Sequence, residues 1–369
     1  MPNETTQFER LRIVGYKSFV DTEIDFGSLN VVIGANGAGK TNLISFFSLL
    51  KAALAGKLDG YVGRHGGPNS LLHMGPKSTN EIRCEMVVNT EAGRGAFFQR
   101  FEFQAPDNLI YGNNPTGTPP DRDRSNEVIF DDICGVVSEG GPGGHPGHLI
   151  YDRLQDGIGV YHFHDTTLTA PVRSSCYVED NRRLHADGGN LAAFLHRLKK
   201  SQSPAYKRIV STVRLIAPFF EDFHLAPKAL DPTRILLNWQ HVDSQREFGP
   251  HQLSDGTIRA ICLISLLLQP KTELPSLIIV DEPELGLHPY ALNVVASLFQ
   301  EAAHHTQILI GTQSSTLLDS FSPENVIVAE RNENATALSR PDPEAMTMWL
   351  EQYSLGEIWE KNVIGGGPH

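Results

Sequence analysis

Three short stretches of this chain gather residues suited to handling a phosphate. Gly34-Ala-Asn-Gly-Ala-Gly-Lys-Thr41 fits the pattern G-x-x-x-x-G-K-[ST]. Glycines let backbone N–H groups close around phosphate oxygens, and a following helix adds partial positive charge at its start. In such a loop Asn36, Gly37, Ala38, Gly39, Lys40, Thr41 and Asn42 line the nucleotide. Lys40 reaches the β- and γ-phosphates of ATP, and the Thr41 hydroxyl ligates Mg²⁺. The second stretch is "LIIVDEPELGLHP", Leu277 to Pro289. It delivers Asp281 and Glu282 at the C-terminal end of an apolar strand, where ligands bind in open α/β sheets. Asp281 suits the Mg²⁺ shell, directly or through a water, and Glu282 is placed to orient an attacking water. The third is "LSDGTIRAICLISLLLQ", Leu253 to Gln269, in which Ser254 caps an apolar helix whose dipole favours an anion. Two phosphate-binding helix starts therefore stand 214 residues apart, Lys40 to Ser254, and a single triphosphate does not need both from one side.

These residues must be held by a sheet. "FERLRIVGYKSF" and "TEIDFGSLNVVIG" alternate apolar and polar residues before a continuous apolar run, as two half-exposed strands and one buried strand would. From Thr41, Leu43, Ile44, Phe46, Phe47, Leu50 and Leu54 recur at helical spacing, with Gly56 as the stop. Residues 80–104 read as two strands joined by a Gly-containing turn. "YGNNPTGTPPDRDRSN" and "SEGGPGGHPGH" are dense in Gly, Pro and Asn and read as loops, with His145 and His148 as incidental members. A helical pattern returns after Gly188, and the apolar runs at 277–280 and 307–311, separated by a helix, predict parallel strands buried on both faces. No repeat period or heptad run is present.

Composition excludes several classes. The 369 residues carry a net charge of −12, which argues against a surface that binds nucleic acid throughout. No run approaches the roughly 18 apolar residues needed to span a bilayer, and "MPNETTQFER" has no secretory h-region, so no membrane role and a cytoplasmic location are expected. Cys84, Cys134, Cys176 and Cys262 lack metal-ligand spacing and read as ordinary thiols. "YHFHD" would set His162 and His164 on one face of a strand, with no third ligand for a metal. "HRLKKSQSPAYKRIVSTVR", His196 to Arg214, is the most basic stretch and reads first as a solvated helix face.

Taken together, "NGAGKTN", "LSDG" and "DEPELGLHP" resemble the ABC-type ATPase heads of the SMC, RecF and OLD group. In that group a switch residue, often histidine, follows the next strand; "GTQSSTLLDSF" offers Gln313 and Ser314 there instead. "VYHFHDTT", "RRLHADGGNLAAFLHRL" and "WLEQYSLGEIWEKNVIGGG" resemble compact stand-alone bacterial ATPases of anti-phage defence operons, so the likeness covers nearly the whole chain. The resemblance implies an α/β P-loop NTPase of ABC-ATPase head type: a mixed sheet core, an N-terminal antiparallel β subdomain and a helical lobe bearing the signature. It implies one domain over 1–369, with a discontinuous nucleotide-binding core of 1–110 and 250–335, an inserted lobe of 111–249 and a C-terminal tail of 336–369 packing on the core. It also implies a homodimer or higher homo-oligomer closed around two ATP molecules with Mg²⁺. Ser254, Asp255 and Gly256 of one copy would cover the ATP held by Lys40 of the other, with Glu284 to His288 near the seam. Tyr16 and Lys17 are placed near the nucleotide by the same likeness. The catalytic set is then Glu282, Lys40 and Gln313, with Thr41 and Asp281 on the metal.

Two outputs remain open. Hydrolysis could drive opening and closing of the dimer, or it could gate a separate effector such as a nuclease or other toxin-like subunit. The chain ends soon after the ATPase core, without a TOPRIM-like nuclease or DNA-spanning arms, which favours the separate effector. DNA binding in repair or genome maintenance, as in RecF- or SMC-like proteins, is the alternative, and the acidic net charge lowers it.

Overall fold

The computed structural model describes residues 6–90, 93–104, 108–112, 128–129, 135–139 and 154–367. His145, His148 and Cys134 lie outside the described residues.

Alternation in the first hundred residues builds an antiparallel sheet. β1 (Gln7–Tyr16), β2 (Phe19–Asp25), β4 (Glu81–Thr90), β5 (Gly93–Gln104), β6 (Asn108–Gly112), β7 (Val128–Ile129) and β8 (Gly135–Glu139) pair in the order β2-β1-β4-β5-β8-β7, with β6 also on β5. β7 and β8 fall within a region of the sequence dominated by loop composition, where short β-branched runs still pair. Phe8, Leu11 and Ile13 of β1 and Phe97 and Phe101 of β5 are fully buried, so one face of this sheet is dry. That face covers α1 (Lys40–Leu54), whose Phe46 and Phe47 lie in the same apolar cluster as Leu58, Tyr61 and Val62 of the short α2 (Leu58–Arg64).

The central sheet is ordered β19-β18-β3-β17-β16-β9, from β3 (Leu29–Ile33), β9 (Ile158–Tyr161), β16 (Leu277–Asp281), β17 (Gln307–Gly311), β18 (Val326–Asn332) and β19 (Ala335–Ser339). All pairs are parallel except the antiparallel β18–β19 edge. Every residue of β3, β16 and β17 is buried, as strands covered on both faces require. The period of two sorts them: Leu277, Ile279 and Leu309 join α1 and the antiparallel sheet, whereas Ile278, Val280, Ile308 and Ile310 join the opposite cluster. That second cluster contains α6 (Pro289–Ala302), which links β16 to β17, and the helical lobe of α3 (Leu191–Ser201), α4 (Ser203–Ile216) and α5 (Asp255–Leu267). Two small sheets complete the lobe. One joins β10 (Cys176–Tyr177), β12 (Pro227–Lys228) and β13 (Asp231–Ile235), and the other β11 (Phe220–His224), β14 (Asn238–His241) and β15 (Glu247–Phe248).

Two boundaries differ from the sequence expectation. β9 lies inside the stretch 111–249 expected as an insertion, yet it completes the central sheet beside β16. Its four residues, one of them Gly159, are too few to declare a strand by pattern. Past residue 335, β19 is the opposite edge of that sheet, so the segment 336–369 begins as a strand before α8 (Pro343–Leu350) and α9 (Leu355–Glu360). The C-terminus is fastened where Trp359 Nε1 donates to the Gly366 carbonyl at 2.7 Å and Gly366 N–H donates to Glu330 at 2.9 Å. Among the described residues, no helix is long and apolar enough to cross a membrane.

Candidate functional site

The register Asp281–Gly311–Val32 aligns the C-terminal ends of β16, β17 and β3, so the acidic loop, the switch loop and the phosphate loop emerge side by side. The phosphate loop turns on positive-φ glycines, Gly37 at 78° and Gly39 at 114°. Gly39 has a second reason to be glycine: a Cβ there would lie 2.3 Å from Thr336 Oγ1. Buried Thr336 braces the loop from β19, donating to the Ala38 carbonyl at 2.8 Å and sitting 2.7 Å from Ser18 Oγ. Ser18 accepts in turn from Asn42 on α1 at 2.8 Å. Arg331, exposed on β18, reaches the Gly37 carbonyl at 3.4 Å.

Lys40 is 5% exposed, and its ammonium donates to the Gly34 and Ala35 carbonyls at 2.5 and 3.0 Å. Burial pulls its pKa down, and Glu282, Asp281 and Glu284 pull it back up in that order. Asp281 is also buried, and its Oδ1 has no hydrogen-bond partner. Burial and the neighbouring Glu282 push its pKa to about 6. A buried carboxylate with a bare oxygen at the strand end is a donor that a hard divalent cation takes, and the exposed Thr41 at the start of α1 is a second oxygen donor, so the residue types fit Mg²⁺. His164 Nε2 donates to the Asp281 carbonyl at 2.8 Å, fixing the strand end from β9's side.

Glu282 adopts φ of 44°, a left-handed conformation rare for a side chain other than glycine, and its N–H donates to Gly311 at 2.7 Å. Gln313 Nε2 donates to Glu282 Oε1 at 2.5 Å. Glu284 receives the Thr312 hydroxyl at 2.7 Å and the Gln313 N–H at 2.9 Å, while its Oε2 is buried without a partner. Burial raises the Glu284 pKa, and its hydrogen bonds partly offset this. Glu284 thus ties the acidic loop to the switch loop. Ser314 caps the short helix α7 (Ser315–Leu318) by accepting from Leu317 N–H at 3.1 Å, so of the two switch candidates Gln313 alone touches Glu282.

The signature stretch is built differently. Ser254 caps α5, accepting from Thr257 N–H at 3.1 Å, and both Ser254 and Asp255 are exposed. Gly256 abuts the acidic loop so closely that a Cβ would lie 2.1 Å from the Gly286 carbonyl oxygen. Two buried arginines hold the turn from behind. Arg173 donates to the Thr166 carbonyl at 2.7 Å, the Leu253 carbonyl at 3.0 Å and the Asp255 carboxylate at 2.6 Å. Arg259 donates to the carbonyls of Phe163 at 2.8 Å and His164 at 3.0 Å, and also to that of Leu285.

Lys40, Asp281, Glu282 and Gln313 are therefore brought together, while Ser254 and Asp255 face solvent and the half-buried Gly256 packs against the acidic loop. Tyr16 and Lys17 both reach Ser45 on α1, at 2.8 and 2.9 Å, one helical turn past Thr41. His288 caps α6, its Nδ1 accepting from Tyr290 N–H at 3.3 Å. His162 and His164 belong to no metal-ligand cluster among the described residues. In the basic stretch, Arg197, Lys199, Arg208 and Arg214 form ion pairs with Glu273, Asp222, Glu301 and Glu221 of this chain. Thr336, Arg173, Arg259 and Arg331 carry no local sequence signal, because apart from the Arg173–Thr166 bond their partners are tens to hundreds of residues away.

This fold and these converging loops have the architecture of the ATPase heads of SMC proteins. The family described as "AAA domain, putative AbiEii toxin, Type IV TA system" matches residues 29–319, and the chain belongs to it. No curated protein sequence matches the chain. Among solved structures, an SMC head bound to the C-winged helix domain of ScpA superposes with a TM-score of 0.59 at 13% identity, over 90% of this chain and 97% of that one. The SMC head with an extended coiled coil from Pyrococcus furiosus, bound to the C-terminal domain of ScpA, gives 0.58 at 11% identity over 94% and 99%. The SMC head with coiled coil and joint from Pyrococcus yayanosii gives 0.59 at 10% identity over the same shares. At these identities the likeness establishes the fold.

Proposed function

We propose that this chain hydrolyses ATP with Mg²⁺ and that two copies close head to tail around two nucleotides, Ser254–Gly256 of each covering the ATP bound to Lys40 of the other. The observation that carries the reading is the Gln313–Glu282 hydrogen bond on a left-handed Glu282, because a pure nucleotide binder has no use for an oriented carboxylate at that point. Thr41 and Asp281 would hold Mg²⁺, which supplies charge neutralisation on the transferred phosphoryl group. Asn36, Gly37, Ala38, Gly39 and Asn42 would surround the phosphates with Lys40. Glu282 would polarise the attacking water, and Gln313 would hold the carboxylate in position. The exposed signature turn supports a composite site, since Ser254 and Asp255 are open to a second copy of the chain. We place the output in gating a separate effector, a nuclease or other toxin-like subunit, in anti-phage defence in the cytoplasm. The match to a toxin–antitoxin ATPase family supports that setting. Ion pairs of Arg197, Lys199, Arg208 and Arg214 within the chain weaken the claim of the basic stretch to DNA.

Glu282→Gln tests the reading. The expected result is a drop in turnover of about 10²–10⁴-fold with ATP retained and a nucleotide-dependent dimer on size-exclusion chromatography. Wild-type turnover in this variant would remove Glu282 from the role.

A further inference from the structure

The strands that end at the acidic loop begin at a cavity of about 790 Å³. Ile158 and Ser276, at the starts of β9 and β16, lie on its wall, so it sits at the edge of the sheet opposite the phosphate loop. Its other wall is cationic. Lys51 from the last turn of α1 and Arg182, Arg183 and Arg197 face Asp156 and Glu273, four positive groups against two negative ones, in a chain of net charge −12. Two of the four are engaged: Arg197 holds Glu273 with hydrogen bonds of 2.8 and 2.5 Å, and Arg183 stands 3.3 Å from Asp156. Lys51 and Arg182 form no ion pair among the described residues. Partial burial depresses the Lys51 pKa, the charge of Arg183 depresses it further, and Asp156 pulls it partly back up. Like charges held together in a recess are relieved by an anion. Gly159 shapes the floor, since a Cβ there would lie 2.6 Å from the Tyr161 ring and 3.1 Å from its hydroxyl oxygen. Burial holds that phenol near a pKa of about 12, so it stays neutral and adds no charge against an anion.

We propose that this cavity binds a phosphate-bearing small molecule, distinct from the nucleotide at Lys40. Planar guanidinium groups match phosphate oxygens in pairs, and an excess of two positive charges matches a phosphate better than a carboxylate. The volume suits a ligand of nucleotide size. A long polyanion is disfavoured, because the cations line a recess rather than a stripe across an acidic surface. The site has a built-in route to the catalytic loops: α1 runs from Lys40 to the cavity at Lys51, and β16 runs from the cavity to Asp281. This inference does not depend on hydrolysis or dimerisation.

Calorimetric titration of inorganic pyrophosphate into the full chain, with the phosphate loop saturated by a non-hydrolysable ATP analogue and excess Mg²⁺, tests it. The expected result is one binding event per chain. It weakens about tenfold or more in Arg182→Ala/Arg183→Ala, whose side chains are exposed, and persists in Lys40→Ala. A nucleoside diphosphate binding more tightly than pyrophosphate through the same arginines identifies a nucleotide ligand, and equal affinity identifies a free polyphosphate. Both outcomes support the site. No binding, loss in Lys40→Ala, an unchanged affinity in the arginine variant, or a marked preference for an oligonucleotide would overturn it.

Discussion

The phosphate loop and the signature turn are both helix starts, yet they are finished in opposite ways. Around the phosphate loop, Lys40 is buried against its own carbonyls, Thr336 and Ser18 brace the backbone, and Asp281 and Glu284 keep bare oxygens inside. Around the signature turn the rear is buried and wired by Arg173 and Arg259, while Ser254 and Asp255 at the front meet solvent. The contrast separates positioning from occupancy. One region gathers the groups suited to a ligand; the other is held just as firmly but presents its end to solvent.

Mixing two disabled chains breaks or sharpens this contrast most directly. Lys40→Ala and Ser254→Arg should each lower ATP turnover by more than about 100-fold. Ser254→Arg should still bind nucleotide, which equilibrium dialysis would read. An equimolar mixture should recover roughly a quarter of wild-type activity, because half of randomly paired C2 dimers keep one of two composite sites intact. No recovery would mean that Ser254 serves its own chain's nucleotide or none.

A smaller effect is expected where the two regions touch. Gly256→Ala drives a methyl group into the Gly286 carbonyl, so chemical denaturation should report a loss of about 1–3 kcal/mol. Nucleotide binding at the phosphate loop should change far less. Equal damage to both would show that the regions are one mechanical unit.

The mildest test uses acidity. Asp281 has a native pKa near 6 against an ordinary 3.8, so the folded chain holds the proton more tightly than the unfolded chain. Its ionisation therefore opposes folding, and this part of the stability falls as pH rises from about 4 to about 6. Asp281→Asn should be more stable than wild type at pH 7 by about 2–3 kcal/mol in the absence of Mg²⁺, and the difference should shrink toward zero near pH 4. Urea titrations at the two pH values would check it; a constant difference would contradict the buried, bare carboxylate.

Much of the site was legible because its parts are local. The glycine spacing of 34–41 and the five buried residues before Glu282 are short-range patterns with one physical solution. What escaped is long-range. Thr336 reaches Ala38 across 298 residues, and Arg259 reaches Phe163 across 96, so neither leaves a period or a spacing to find. His164 lies three residues past the end of β9 and not on a strand as the alternation suggests, and its partner is a backbone carbonyl, which no side-chain pattern encodes. β9 escaped because a four-residue strand containing glycine takes its identity from β16 beside it.

The bonds from Lys40 to Gly34 and Ala35 bear on selectivity. These two carbonyl oxygens latch the ammonium, so an incoming molecule must displace them before it gains anything. A ligand with a single phosphate offers little to replace them, whereas a terminal polyphosphate offers several oxygens at once. The latch would thus screen out monophosphorylated metabolites before any catalytic group takes part.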